Sequence, residues 1–334
     1  MDQTDPGAPR AAPARPRHRG RAARLAARIA IILAALAFGA WTVTALWYQA
    51  DAPWRVPLMT LAGFATLGLM VATPRRPARA MAALAIAVVG VGLWWSAIAP
   101  SNTRDWAPDV AHGVTADISG SRVTLHHVRD FEWRTPTDFT PRWDTRAFDL
   151  DALERVDVYS SVWASPAIAH TLVGFGFSDG QYVVFSAEIR RQAGETFSEI
   201  GGFFKQFELV LIAATPDDII RLRTDVRGEH VARYPLKLTG AQMRAAFLTF
   251  AGKGNALAEQ PEFYQTLTTN CTTVLFHLAR LVAPSMPFDW RILASGHLPA
   301  YLYAHGLIDT EKPLAEVESD AAVAPGSRPW ARAR

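Results

Sequence analysis

Apolar and polar positions are distributed unevenly along this chain. Three uncharged, almost wholly apolar stretches occupy residues 29–47, 56–73 and 80–99, and each matches the roughly 20 residues a helix needs to cross a bilayer core. The pattern changes abruptly at Pro100. Beyond it, short runs rich in β-branched and aromatic residues predict strands over 121–128, 156–162, 168–177, 181–189, 207–213 and 230–236. Helical spacing follows these strands. Thr239 with Gln242 forms a capping-box signature for a helix ending near Leu257, Asn270 opens a second, and shorter helices are expected over 290–294 and 299–305, the last stopped by Gly306. Strands first and helices later indicate an α+β domain rather than a doubly wound one.

Charge adds a direction to this layout. The net charge is +3, but the arginines concentrate at the two termini and in the loop Pro74-Arg75-Arg76-Pro77-Ala78-Arg79, with no basic face interleaved with aromatics. That distribution argues against nucleic acid as a partner and for membrane topology. Arginine excess places the N-terminus and the 74–79 loop in the cytoplasm and everything after Pro100 outside, with Trp47, Trp94 and Trp95 at the outer interface. The expected organisation is a disordered basic cytoplasmic tail (1–28), three transmembrane helices (29–99), an extracytoplasmic domain (100–314) and a disordered Ser/Ala/Pro/Arg tail (315–334).

A single cysteine, Cys271, excludes an intramolecular disulfide and any zinc site built on several thiolates. It lies in Leu267-Thr-Thr-Asn-Cys-Thr-Thr273, with Val274, Leu275, Leu278, Leu281 and Val282 following at helical spacing. Asn270 thus reads as an N-cap and Cys271 as the first helical residue. Unpaired amides and the helix dipole there favour a thiolate. A nucleophilic thiol needs a base. His277 is rotated away on the same helix, and His126 and His127 are adjacent in a strand. His170 opens an apolar strand that turns through Ser178-Asp179-Gly180 into the next, and a three-residue loop sets His170 opposite Glu188. The arrangement suggests Cys271 as nucleophile, His170 as base and Glu188 as the group orienting it, with Ser186 and Asn270 as rivals for the third position. Asn270 also suits an oxyanion-supporting role. Arg221 and Arg223 are candidates to grip a lipid phosphate, and Asp149, Asp151, Glu154 and Asp157 read as a solvated acidic surface. HExxH, CxxC and phosphate-loop motifs are absent, so no metal or cofactor is expected.

Several blocks occur together in order: Pro100-Ser-Asn-Thr-Arg-Asp-Trp106, FEWRTPTDFTPR from Phe131, Trp163-Ala-Ser-Pro-Ala-Ile-Ala-His-Thr171, Gly201-Gly-Phe-Phe204, Ile220-Arg-Leu-Arg-Thr224 and LTTNCTT from Leu267. By these blocks, the region from Trp94 to Leu314 resembles the family of the N-terminal periplasmic domain of the bacterial lipoprotein N-acyltransferase Lnb. The resemblance implies a permuted relative of the papain-like NlpC/P60 fold, with histidine preceding cysteine, and a thiol site at His170 and Cys271. The family's enzymes carry membrane spans after this domain, whereas this chain has them before it. The expected function is thiol-dependent acyl transfer outside the cytoplasm, at a bacterial inner membrane, on lipids and a lipoprotein or peptide substrate. Cell-wall peptide hydrolysis and non-catalytic assembly are the alternatives.

Overall fold

The computed structural model describes residues 17–266, 268–282 and 285–331, so Leu267 and most of the expected N-terminal tail lie outside the described residues. Internal contacts divide the chain into Met1–Ala99 and Pro100–Arg334. The first unit holds α1 (Arg17–Gln49), α2 (Ala52–Ala72) and α3 (Pro77–Ala97). All three are long and apolar enough to cross a membrane; the 21 residues of α2 rise about 31 Å. At Gly39 an added Cβ would stand 2.2 Å from Thr66 Oγ1, so glycine permits close approach of α1 and α2. Helix α1 reaches back to Arg17, whereas disorder was expected through residue 28. Alanine, leucine and arginine over 22–28 are strong helix formers, and they extend an already nucleated helix at little cost.

The second unit is mixed α+β. Its strands are β1 (Thr115–Ser119), β2 (Arg122–Arg129), β3 (Glu132–Trp133), β4 (Phe139–Thr140), β5 (Trp143–Asp149), β6 (Leu153–Ser165), β7 (Ile168–Phe177), β8 (Tyr182–Arg190), β9 (Glu208–Ala214) and β10 (His230–Pro235). The helices are α4 (Pro216–Arg221), α5 (Gly240–Glu259), α6 (Cys271–Val282), α7 (Trp290–Leu293), α8 (Leu298–Ala304) and α9 (Leu314–Asp320). One sheet runs β1-β2-β9-β8-β7-β6-β10, with β5 also on β2, and β3 pairs with β4 alone. All its ladders are antiparallel except the single β2–β9 bridge.

Apolar layers cover both faces of the sheet. Val183, Phe185 and Ala187 of β8 join Phe247 and Phe250 of α5 and Val274, Leu275 and Phe276 of α6. From the opposite face, Tyr182 and Val184 meet Ile219 and Ile220 of α4 together with Val323 and Trp330. Two-sided burial explains why the central strands read as continuous apolar runs rather than alternating ones. The β7–β8 ladder pairs Gly176 with Tyr182 and Leu172 with Ser186, the register a Ser178-Asp179-Gly180 turn dictates, and Gly180 supplies the required positive φ of 90°. The capping box of α5 is also present, with Thr239 and Gln242 in both roles.

Two expectations need correction. The segment 315–334 is not a disordered tail over its described residues: it forms α9, the Val323 N–H donates to Val231 O at 2.8 Å, and Val323 and Trp330 are buried. This segment covers β10, which would otherwise leave an open sheet edge. Nor is Asp157 part of a solvated acidic surface. It is fully buried, accepts the Tyr182 hydroxyl on Oδ2 at 2.6 Å and has Arg233 3.4 Å from Oδ1, so its charge is balanced by an arginine although Oδ1 accepts no hydrogen bond.

Candidate active site

The site forms where the start of β7 meets the start of α6. Asn270 Oδ1 accepts the Thr273 N–H at 2.8 Å and its amide donates to Thr266 O at 2.8 Å. Those bonds cap α6 and fix the residue before the thiol. The Cys271 thiol reaches back across the sheet, with Ala169 O at 4.0 Å and Thr272 Oγ1 at 3.8 Å. Buried hydroxyls of Thr171 and Thr272 lie 3.1 Å apart and tie α6 to β7 beside it.

His170 follows Ala169, and its outward neighbours come from β8 because the hairpin register aligns them. Nε2 lies 2.7 Å from Ser186 Oγ and 3.1 Å from Glu188 Oε1. Ser186 donates its own hydroxyl to Glu188 Oε1 at 2.7 Å. Nε2 is therefore committed to the serine and glutamate, which leaves Nδ1 for the thiol. Glu188 and Ser186 are not rivals in this geometry but two steps of one relay behind the imidazole. Asn270 stands apart as the helix cap.

Electrostatics in the cluster favour the ion pair. Burial pushes the Cys271 thiol up, but the His170 charge and hydrogen bond, the Thr171 N–H and the Thr272 hydroxyl outweigh it and lower the pKa below the ordinary thiol value. Burial pushes His170 down, yet Glu188 and Cys271 overcome both burial and repulsion from Arg223, raising it to about 9. Burial likewise opposes ionisation of Glu188, and His170, Arg223 and Ser186 hold it well below the carboxylate range. These shifts all move the set toward a thiolate, an imidazolium and a carboxylate.

The two arginines expected to grip a lipid phosphate have different assignments. Arg223 is only 3% exposed; it donates to Glu188 Oε1 at 2.9 Å and to Ile219 O at 2.9 Å. Arg221, on the outer surface of α4, pairs with Asp225 at 2.8 Å. The Arg223 guanidinium is thus turned inward onto Glu188, whereas that of Arg221 stays exposed with its Nε on Asp225.

Sequence reasoning missed three contributors. Arg223 anchors the Glu188 carboxylate from 35 residues away, and no local pattern announces that. Tyr264, held protonated far above its usual range by burial and then by the charges of Cys271 and Glu188, is a hydroxyl within electrostatic reach of the thiol. Ser295 Oγ accepts the Ala169 N–H at 2.7 Å, bracing the strand residue beside His170. Among the described residues, no group of three or more His, Cys, Asp or Glu side chains could hold a metal.

No curated protein and no solved structure matches the chain. Residues 139–296, which include His170, Ser186, Glu188, Arg223 and Cys271, match the family model described as Lnb N-terminal periplasmic domain, and over that stretch the chain is similar to this family.

Proposed function

We propose that the chain is a membrane-anchored, extracytoplasmic thiol acyltransferase that works through a Cys271 thioester, with a permuted papain-like arrangement of histidine and cysteine. The observation that carries this reading is the His170–Ser186–Glu188 relay set against a thiol at a helix start. In the first half-reaction the Cys271 thiolate attacks an ester carbonyl, and amides at the start of α6 with the Tyr264 hydroxyl stabilise the oxyanion. Collapse breaks the ester C–O bond, and the departing alkoxide takes the proton from His170. An amine then attacks the thioester, neutral His170 accepts its proton, and the thiolate leaves with the amide formed. Glu188 holds the imidazole orientation and stabilises its charge in both halves.

An apolar substrate is supported by the surroundings. Phe197, Ile200 and Phe203 are exposed on a loop whose Glu199 carbonyl accepts the Thr266 hydroxyl at 2.9 Å, just before the cysteine helix. Trp163 and Ile168 are exposed at the β6–β7 tip that leads into His170. Clustered exposed apolar groups mark contact sites for lipid or protein. With the three apolar helices on the same chain, enzyme and lipid would share one membrane plane, placing the thiol domain on its outer side and the N-terminus in the cytoplasm.

The test uses full-length protein in lipid nanodiscs containing acyl-labelled phospholipid and an N-terminal diacylglyceryl-cysteine peptide. Labelled Cys271, lost with hydroxylamine and chased onto the peptide amine, is the expected result. Adduct that passes only to water would indicate a hydrolase. Cleavage of muropeptide with no lipid adduct would replace the reading by cell-wall peptide hydrolysis.

A further inference from the structure

Behind the thiol lies a partly open cavity of about 140 Å³ between the sheet, α5, α6 and α8. Its walls are formed by aliphatic and aromatic side chains, among them Val173, Phe250, Leu275 and Leu302. Thr171 and Thr272 bound it on the side of the thiol, and these are the residues directly after His170 and directly after Cys271. Their hydroxyls satisfy each other at 3.1 Å, so the thiol-side wall offers no unpaired polar group to a ligand. Lys237 and Gln242 mark another part of its wall.

We propose that this cavity is the acyl-chain site, receiving the hydrocarbon next to the thioester carbonyl while Cys271 holds the carbonyl carbon. The inference rests on the thioester reading of Cys271 and adds where in the fold the transferred chain is held. Lys237 and Gln242 offer polar atoms at one part of the wall, and the aliphatic and aromatic side chains that form the rest suit a hydrocarbon and leave a polar acyl group unsolvated. An apolar cavity near 150 Å³ holds a ligand of benzene size, so roughly six carbons fill this one and any longer chain continues toward the opening.

p-Nitrophenyl esters of increasing length test this with the intact protein. The Cys271 thiolate forms the thioester bond as the C–O bond breaks, and p-nitrophenolate leaves, so the burst reports acylation directly. The second-order burst rate should rise about fourfold per added methylene from acetate to about hexanoate or octanoate, then level. Ala246 of α5 and Ala279 of α6 both line the cavity, and Ala246→Phe and Ala279→Phe fill it from two walls. Each should keep acetate reactivity within about twofold while reducing the octanoate rate at least tenfold, a loss that about two methylenes' worth of burial accounts for. In unmutated protein, saturating hexanol should slow the octanoate burst and spare acetate, which secures the test if either variant fails to fold. A chain-length slope unchanged by filling or by hexanol would overturn the cavity assignment while leaving the thioester intact. No burst with any ester, acetate included, would overturn the thioester reading and the cavity's role with it.

Discussion

Arg223 and Glu188 form a nearly buried ion pair beneath the histidine, with the guanidinium donating to Oε1 at 2.9 Å, the same oxygen that receives Ser186 and faces His170. The arginine thus fixes the carboxylate that fixes the imidazole. Removing only one member leaves the other charge uncompensated, and Arg223→Met should cost about 3 kcal/mol in urea unfolding. Arg223→Met/Glu188→Gln should cost less than the sum of the single changes. Glu188 has a depressed folded pKa, so its contribution is present above the unfolded value of about 4.3 and lost as pH falls through the folded one. Glu188→Gln should therefore flatten the acid limb of the stability curve. An additive double mutant would show that the pair is not coupled.

The thiolate–imidazolium pair has a pH signature. With the thiol lowered and His170 raised to about 9, the midpoint for iodoacetamide alkylation of Cys271 should lie below that of an ordinary thiol. His170→Ala removes the leading favourable charge and leaves burial unopposed by it, so the alkylation midpoint should move alkaline and the rate at pH 7 should fall at least tenfold. Acyl transfer should add a second limb that alkylation lacks, declining as pH rises through about 9, where His170 loses the proton it must donate to the leaving group. Equal alkylation profiles for the two proteins would mean the thiol is not activated by this histidine.

The same histidine links folding to pH on the alkaline side. In Cys271→Ser the thiol no longer titrates, and Glu188 still holds His170 above its ordinary value. A raised pKa contributes stability that is complete below about 6.5 and is lost as pH rises through the folded value. Denaturation of Cys271→Ser at successive pH values should show that decline, and Cys271→Ser/His170→Ala should lack it. The decline persisting in the double variant would assign it to another group.

How much of this was readable in advance depends on the range of the interactions. The hairpin turn Ser178-Asp179-Gly180 fixes register locally, and with it the facing of His170 and Glu188. The Asn270 cap is equally local. Strand β5 escaped notice because Asp144, Arg146 and Asp149 interrupt it and Phe148 is its buried apolar residue, so its place beside β2 is set by the partner strand rather than by its own content. Arg223 was misread for a related reason: an arginine next to a turn looks solvent-facing, and only the fold brings Glu188 under it. Val323 and Trp330 sit in a stretch with a disordered composition, yet they pack because β10 presents an edge to be covered.

Tyr264 offers a way to separate nucleophile activation from transition-state stabilisation. Its half-buried, protonated phenol, within electrostatic reach of Cys271, can donate to an oxyanion but cannot take up the thiol's proton. Tyr264→Phe should leave the alkylation rate within about twofold of wild type and its pH midpoint unmoved, while acyl transfer falls roughly 100- to 1000-fold in kcat, the loss expected for one oxyanion donor. A parallel loss in alkylation would show instead that the tyrosine maintains the geometry of the thiol.

Gly296 carries a last, more distant constraint on His170. A Cβ at this position would stand 1.9 Å from Pro166 O and 2.9 Å from the Ala167 carbonyl carbon, both backbone atoms of the β6–β7 tip. The Gly296 N–H already donates to Ala167 O at 3.1 Å, and neighbouring Ser295 accepts from Ala169. A methyl group here must push the tip away, and the displacement enters the strand two residues before His170. Gly296→Ala should destabilise by about 2 kcal/mol, in the range for overpacking, and lower Cys271 alkylation at pH 7. Gly254→Ala supplies the comparison, since its added Cβ would meet Val114 O at 2.5 Å, in the contact of α5 with β1. It should destabilise comparably without moving the alkylation midpoint. If both variants shift that midpoint equally, the effect is general loosening of the fold. A shift confined to Gly296→Ala makes the 295–297 turn the brace that holds His170 against the thiol.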